Sequence, residues 1–260
     1  VTHTIDLNAD LGEGAGPGRL ATDAAILPLV SSANIACGAH AGDPLLMAEV
    51  LTLARRHGVT PGAHPGYADR TGFGRRELAA SGAEVVVEVL AQVGALHALG
   101  RHAGHPVRYL KPHGALYHRL GSDQETARSL AIALVALWPD LIVLTAGAGA
   151  LAREAVSAGL PVAREAFLDR GYQSDGTLVP RGHAGALLHD PAAVADRAER
   201  IACDRTVDTV EGTRIALEAD SLCVHGDGPA AVVLLEAVRT RFDQRGIVVA
   251  SFAPSRPLAT

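Results

Sequence analysis

Four histidines of this chain share one setting. His40, His64, His113 and His225 each lie in a tight loop with Gly or Pro alongside, shortly after an apolar run. Other reactive side chains gather at the same places. Asn8, Asp10 and Glu13 follow the first run, Asn34 and Asp43 flank His40, and Tyr67, Asp69, Arg75 and Arg76 follow His64. Lys111 and Tyr117 bracket His113, Glu165, Asp169, Arg170 and Tyr172 follow a sixth run, and Asp227 adjoins His225. One such histidine is readily a cap or turn residue. Four at separate strand ends, with carboxylates nearby, are hard to explain in that way.

Three chemistries suit these groups. Asp10 with two of the histidines, His40 and His64 being the candidates, could hold a divalent metal such as Zn²⁺ or Mn²⁺. No HExxH or other short metal motif supports it. Lys111 and His113 could polarise a carbonyl or move protons, with a carboxylate tuning the imidazole. Arg75, Arg76 or Arg181 could clamp a carboxylate or phosphate in a bidentate fork. For any single arginine, a solvated surface charge is at least as good a reading.

Lys111 is the only lysine beside 22 arginines. The arginine excess reads as compositional bias, whereas a lysine kept against it points to a need for a compact, deprotonatable ammonium. Phosphate signals are weak. Lys111 directly follows a strand and precedes Pro112, so it is no P-loop lysine. The glycine-rich turns at Gly12–Gly18 and Gly147–Gly149 could cradle an anion or merely supply turns.

The elements that must position these groups follow from the hydrophobic pattern. Strands are expected at Ile5–Leu7, Ala33–Ala36, Val59–Ala63, Val107–Leu110, Leu141–Leu144, Val162–Glu165 and Leu222–Val224, with Ile247–Ala250 as an eighth or an edge. Amphipathic helices separate most of them. One begins with Asp43 as N-cap and Pro44 at its first position and ends before Gly58. Leu168–His189 is irregular and is a candidate lid or docking loop. Alternating strands and helices imply a parallel sheet, and seven or eight units favour a closed or nearly closed (β/α) barrel over an open sheet. Its functional groups should then lie at the C-terminal ends of the strands. No GxGxxG fingerprint supports a dinucleotide fold. The 260 residues are expected to form a single domain over 1–260.

Composition narrows the function class. Hydrophobic residues make up 48% but aromatics only 3%, so the core must be built from Ala, Val, Leu and Ile. A net charge of -5 without a basic block argues against a nucleic-acid surface. Three scattered cysteines imply neither a disulfide framework nor structural zinc. No run reaches the roughly 18 apolar residues of a membrane span. The first residues lack the pattern of a signal peptide, so a cytoplasmic location is expected.

The blocks DLNADLGEG (6–14), SSANIACGAHAGDP (31–44), GAHPGYADRTGFGRR (62–76), LKPHGALY (110–117), EAFLDRGY (165–172) and CVHGD (223–227) together resemble the LamB/YcsF family, in order and across most of the chain. Ala39 departs from that pattern, which leads one to expect a bulkier residue before the histidine. The resemblance implies a barrel of the metal-dependent glycoside hydrolase and deacetylase type. It further implies ATP-dependent hydrolysis of 5-oxoproline to L-glutamate, with Mg²⁺ accompanying ATP and two partner subunits, B and C. On this reading Asp10, His40, His64, Lys111 and His113 are catalytic. Asn8, Glu13, Asn34, Arg75, Arg76, Tyr117, Glu165, Arg170, His225 and Asp227 contact substrate. A metal-dependent deacetylase is one alternative, and a non-catalytic substrate-binding subunit is the other.

Overall fold

Strands and helices alternate along the computed structural model, which describes residues 3–16, 18–225 and 229–253. The strands are β1 Thr4–Leu11, β2 Ser32–Ala36, β3 Thr60–His64, β4 Tyr109–Leu110, β5 Ile142–Thr145, β6 Val162–Phe167, β7 Thr206–Asp208, β8 Arg214–Ala216, β9 Ser221–Val224 and β10 Val248–Val249. The helices are α1 Ala21–Ile26, α2 Pro44–His57, α3 Gly82–His102, α4 Gly114–Ser122, α5 Gln124–Leu137, α6 Ala150–Ala158, α7 Pro191–Asp204 and α8 Pro229–Arg245. β1, β2, β3, β4, β5, β6 and β9 pair in parallel in that order, and β9 pairs back onto β1. The barrel is therefore closed with seven strands. The segment expected as an eighth, β10, pairs only with Thr4 and Ile5 of β1 and stays outside the ring.

Local sequence explains most of the helix ends. Asp43 accepts from the Leu46 amide, Pro44 starts α2, and Gly58 ends it in the left-handed region at φ 67°. Ser81 and Glu84 form a reciprocal capping box at α3. By length and composition alone α3 could cross a membrane, contrary to the expectation that no segment could. Its Val85, Val89, Val93 and Leu96 are nevertheless buried in the main core. α4 and the antiparallel pair β7–β8 are additional elements that hydrophobic periodicity did not indicate.

The strands carry an unusual division of polarity. In β1, Leu7, Ala9 and Leu11 join the apolar layer beneath the helices. The alternate residues Asp6, Asn8 and Asp10 are equally buried but bond to side chains of the neighbouring β2 and of Lys111, inside the barrel. The two-residue period sends one set outward and the other inward. Strand β1 accordingly runs on to Leu11 instead of stopping at Leu7. Asn and Asp usually mark strand ends, yet here polar partners inside the barrel satisfy them.

This interior is one continuous hydrogen-bonded column. The Asp6 carboxylate accepts from Ser31, Ser32 and Ser221. Burial pushes the Asp6 carboxyl up to about 6, the serine hydroxyls opposing. Above it, Asn34 donates to Asn8 at 2.7 Å and to Asp10 at 2.8 Å, and the Tyr109 hydroxyl donates to Asn34 at 2.7 Å. Tyr109 can cross the barrel because β3 has Gly62 beneath its ring. A Cβ there would lie 2.2 Å from the ring. Gly62→Ala is thus expected to cost about 1–3 kcal/mol by overpacking. Urea denaturation checks this, and an unchanged midpoint would contradict the close approach.

Candidate active site

The inward residues reach the C-terminal ends of the strands as a set of titratable groups. Lys111, just past β4, is 2% exposed. Its Nζ lies 2.9 Å from Asp10 Oδ1, 2.8 Å from Glu165 Oε1 and 3.1 Å from Cys223 Sγ. Burial opposes the ammonium, but Asp10, Cys223 and Glu165 outweigh it and hold Lys111 well above the usual lysine range. Burial likewise opposes the Asp10 carboxylate, and His64 and Lys111 outweigh it, leaving that carboxyl well below its usual range. Burial raises Glu165, with Lys111 opposing. Lys111 and Asp10 thus form a charged pair at the floor of the site.

Above this floor stand three histidines. His64 Nδ1 donates to the Lys111 carbonyl at 2.8 Å, and His113 Nε2 donates to the Phe73 carbonyl at 2.8 Å. A carbonyl can only accept, so these bonds fix both tautomers. His64 Nε2 and His113 Nδ1 then face each other, 3.0 Å apart, with a lone pair on each. Phe73 presents its carbonyl from a left-handed backbone, φ 55°, a conformation costly for a bulky residue and common at sites where geometry is enforced. His40 stacks on His113, with centroids 3.8 Å apart, and its Nε2 is 3.0 Å from Glu13 Oε1.

Two facing lone pairs require a proton or a metal ion between them. Protonation of His113 is opposed. Burial, then the neighbouring His64, pushes His113 down to about 3, and burial with His113 and His64 pushes His40 lower still. Glu13, His40, His64 and His113 offer four ligand atoms within 4.8 Å of one another. A tetrahedral zinc ion with bonds of about 2.05 Å needs ligand atoms about 3.3 Å apart. The observed separations of 3.0, 3.0, 3.6 and 4.0 Å straddle that value. The donor set therefore fits a divalent metal, with Glu13 and His113 joining His40 and His64. Asp10, a metal candidate on sequence grounds, instead pairs with Lys111 and sits 3.4 Å from His64.

A cleft of about 450 Å³ opens over these groups. Asp10, His64, Lys111, His113, Tyr117 and His225 line it, and Arg75, Arg170 and Arg181 bring positive charge to its walls. Other residues named from the sequence take different places. Asn8 and Asn34 lie within strands and use their amides inside the barrel. Glu165 is buried behind Lys111. Arg76 is largely exposed and forks onto Asp69, away from the cleft lining. Arg170 lines the cleft, but its Nε and Nη2 hold the Ala186 and Val179 carbonyls, fastening the 168–189 segment. That segment brings Leu178, Pro180 and Arg181 to the cleft. Asp227 lies outside the described residues. Sequence reasoning gave no role to Tyr109, Cys223 or Phe167, and placed Asp169 at the rim without assigning it one. Phe167 and Asp169 follow Glu165 at the end of β6 and just beyond it, where barrel chemistry is concentrated, and that position was the signal available for them.

Fold and site together define a closed β/α barrel whose polar groups converge at its C-terminal rim, the arrangement of barrel enzymes. The chain belongs to the LamB/YcsF family, whose model matches residues 5–256. It is 45% identical to a 5-oxoprolinase A subunit of Agrobacterium fabrum, covering 97% of this chain and 99% of that one. It is also 45% identical to the 5-oxoprolinase A subunit of Thermus thermophilus, covering 95% and 99%. Among solved structures, the lactam utilization protein from Thermus thermophilus superposes with a TM-score of 0.90 at 44% identity, covering 96% of this chain and all of that one. A putative cellobiose-phosphate cleavage protein from Enterococcus faecalis shares the fold alone, with a TM-score of 0.56 at 12% identity over 96% and 98% of the two chains.

Proposed function

We propose that this chain opens the lactam ring of 5-oxoproline to give L-glutamate, in an ATP-dependent reaction shared with partner subunits B and C. The observation that carries this reading is the buried Lys111–Asp10 pair beneath three histidines, in a chain 45% identical to proteins named as 5-oxoprolinase A subunits. A lactam is a stable amide, so hydrolysis benefits from activation. Transfer of the γ-phosphoryl group of ATP to the lactam oxygen makes the ring carbon electrophilic. Water adds to that carbon. The C–N bond then breaks, its electron pair and a proton going to nitrogen. A second water releases phosphate from the resulting acyl phosphate, leaving glutamate, ADP and phosphate.

The residues divide this work between them. Lys111 supports negative charge developing on the ring oxygen, and the arginines of the cleft hold carboxylate or phosphoryl oxygens. Asp10 accepts a proton from the attacking water. Glu13, His40, His64 and His113 would hold a divalent cation, which when bound would acidify a coordinated water and polarise an oxygen. ATP enters with Mg²⁺. The cytoplasm supplies both, consistent with the expected location.

Purified chain mixed with partner subunits, 5-oxoproline, ATP and Mg²⁺ should form glutamate, and omission of the chain or of ATP should abolish it. The histidine cluster also suits a metal hydrolase of the deacetylase kind, which needs no ATP. Acetate released from an acetylated sugar without ATP, and no glutamate, would favour that reading. Glutamate formation that survives loss of His64 and Lys111 would favour a non-catalytic binding subunit.

A further inference from the structure

Across the cleft from the histidine cluster, His225 follows β9 and is held differently. Its Nδ1 lies 3.0 Å from both carboxylate oxygens of Asp169, and its backbone amide donates to Asp169 Oδ2 at 3.3 Å. Its ring stacks on Phe167 with centroids 5.4 Å apart and planes within 15°. Phe167 in turn has the Lys111 ammonium 5.3 Å from its ring centre. Burial opposes the Asp169 carboxylate, but His225 outweighs it and holds the acid low. With Nδ1–H committed to Asp169, Nε2 is the ring atom left for the cleft that His225 lines.

The two walls therefore differ in what backs each imidazole. His64 and His113 donate to neutral carbonyls, which leave their inner nitrogens bare. His225 donates to a carboxylate, which fixes the ring and leaves Nε2 toward the cleft. We propose that His225 is the catalytic proton donor to the leaving ring nitrogen, with Asp169 as its positioning residue. This rests on the lactam reading. Once water has added to the phosphorylated ring carbon, the C–N bond breaks. Its electron pair takes the Nε2 proton of the imidazolium, and His225 is left neutral with Nδ1–H still on Asp169. Without that proton, the adduct expels phosphate instead and returns 5-oxoproline. ATP is then consumed with no glutamate made.

The test measures ADP and glutamate together in the reconstituted enzyme. Wild type should give one ADP per glutamate. His225→Gln should make glutamate about a hundredfold more slowly or worse, while 5-oxoproline-dependent ADP release persists, raising the ratio at least about tenfold. Asp169→Asn should move the ratio in the same direction, and Asp169→Glu should partly restore it. A ratio that stays at one in both His225→Gln and Asp169→Asn, whatever the rate, overturns the assignment, because a merely structural defect slows both products alike. A wild type making no glutamate overturns the lactam reading and the donor role with it. The Asp169–His225 contact is then judged separately by ¹⁵N resonance of His225. Its Nδ1 resonance should move in Asp169→Asn, where the carboxylate acceptor is lost. No movement would show that the contact does not hold the ring.

Discussion

Replacing Lys111 with methionine will reduce glutamate formation at least about a thousandfold and destabilise the chain by about 3–5 kcal/mol at neutral pH. Methionine fills nearly the same volume, so the stability loss is electrostatic. Lys111 is the cation held between Asp10 and Glu165, at 2.9 and 2.8 Å, with all three side chains nearly fully buried. Removing it strands buried carboxylates. The pH dependence follows from the direction of the Asp10 shift. In the wild type that carboxyl is depressed, so its contribution is present above the unfolded value of about 3.9 and is lost as pH falls below it. In Lys111→Met the acid has lost this partner, and protonation relieves the penalty. The gap between variant and wild type should therefore narrow from about pH 7 to about pH 4. Adding Asp10→Asn to Lys111→Met should recover much of the stability but none of the turnover. Urea midpoints for the three proteins at both pH values check this. A gap that widens toward acid would contradict it.

The second large effect concerns the facing nitrogens of His64 and His113. Chain stripped with a chelator and then given Zn²⁺ or Mn²⁺ at about a hundred times its dissociation constant should gain about 2.7 kcal/mol. That corresponds to a rise in Tm of roughly 5–10 °C for a chain of this size. His64→Asn and Glu13→Gln should each weaken binding at least about a hundredfold and erase most of the shift. The reason lies in the backbone. The Lys111 and Phe73 carbonyls take the outer N–H of each ring, so in the neutral rings the inner nitrogens carry the lone pairs. Titration calorimetry gives the affinity directly. No shift in the wild type, or an equal shift in both variants, would show that the cluster is satisfied in another way.

Much of this was legible before any coordinates. The N-cap Asp43, Pro44 and Gly58 marked α2 to the residue, and the spacing of apolar runs gave the parallel barrel. His64, His113, Lys111 and His225, named from positions at or just after strand ends, line one cleft. Two kinds of information were not legible. The first was where β1 ends, because Asn8 and Asp10 look like strand breakers until a polar interior receives them. The alternation Asp6-Leu7-Asn8-Ala9-Asp10-Leu11 was the available signal. The second was pairing across the barrel. Glu13 with His40, Asp169 with His225 and Tyr109 with Asn34 are separated by 27, 56 and 75 residues, and the parallel strand order brings each pair together. Arg76 shows the reverse case. Its position after β3 suggested a substrate clamp, but Asp69 lies seven residues earlier in the same loop and takes it.

The central claim is that ring opening occurs at this rim. The most direct test compares glutamate formed from 5-oxoproline and ATP by partner subunits supplemented with wild-type chain, with His64→Ala or with Lys111→Met. Circular dichroism should first show that both variants are folded. Glutamate with the wild type, and none above background with either folded variant, is the predicted result. Wild-type rates from both variants, or no glutamate from the wild type where the 5-oxoprolinase A subunit of Thermus thermophilus is active, would contradict the account.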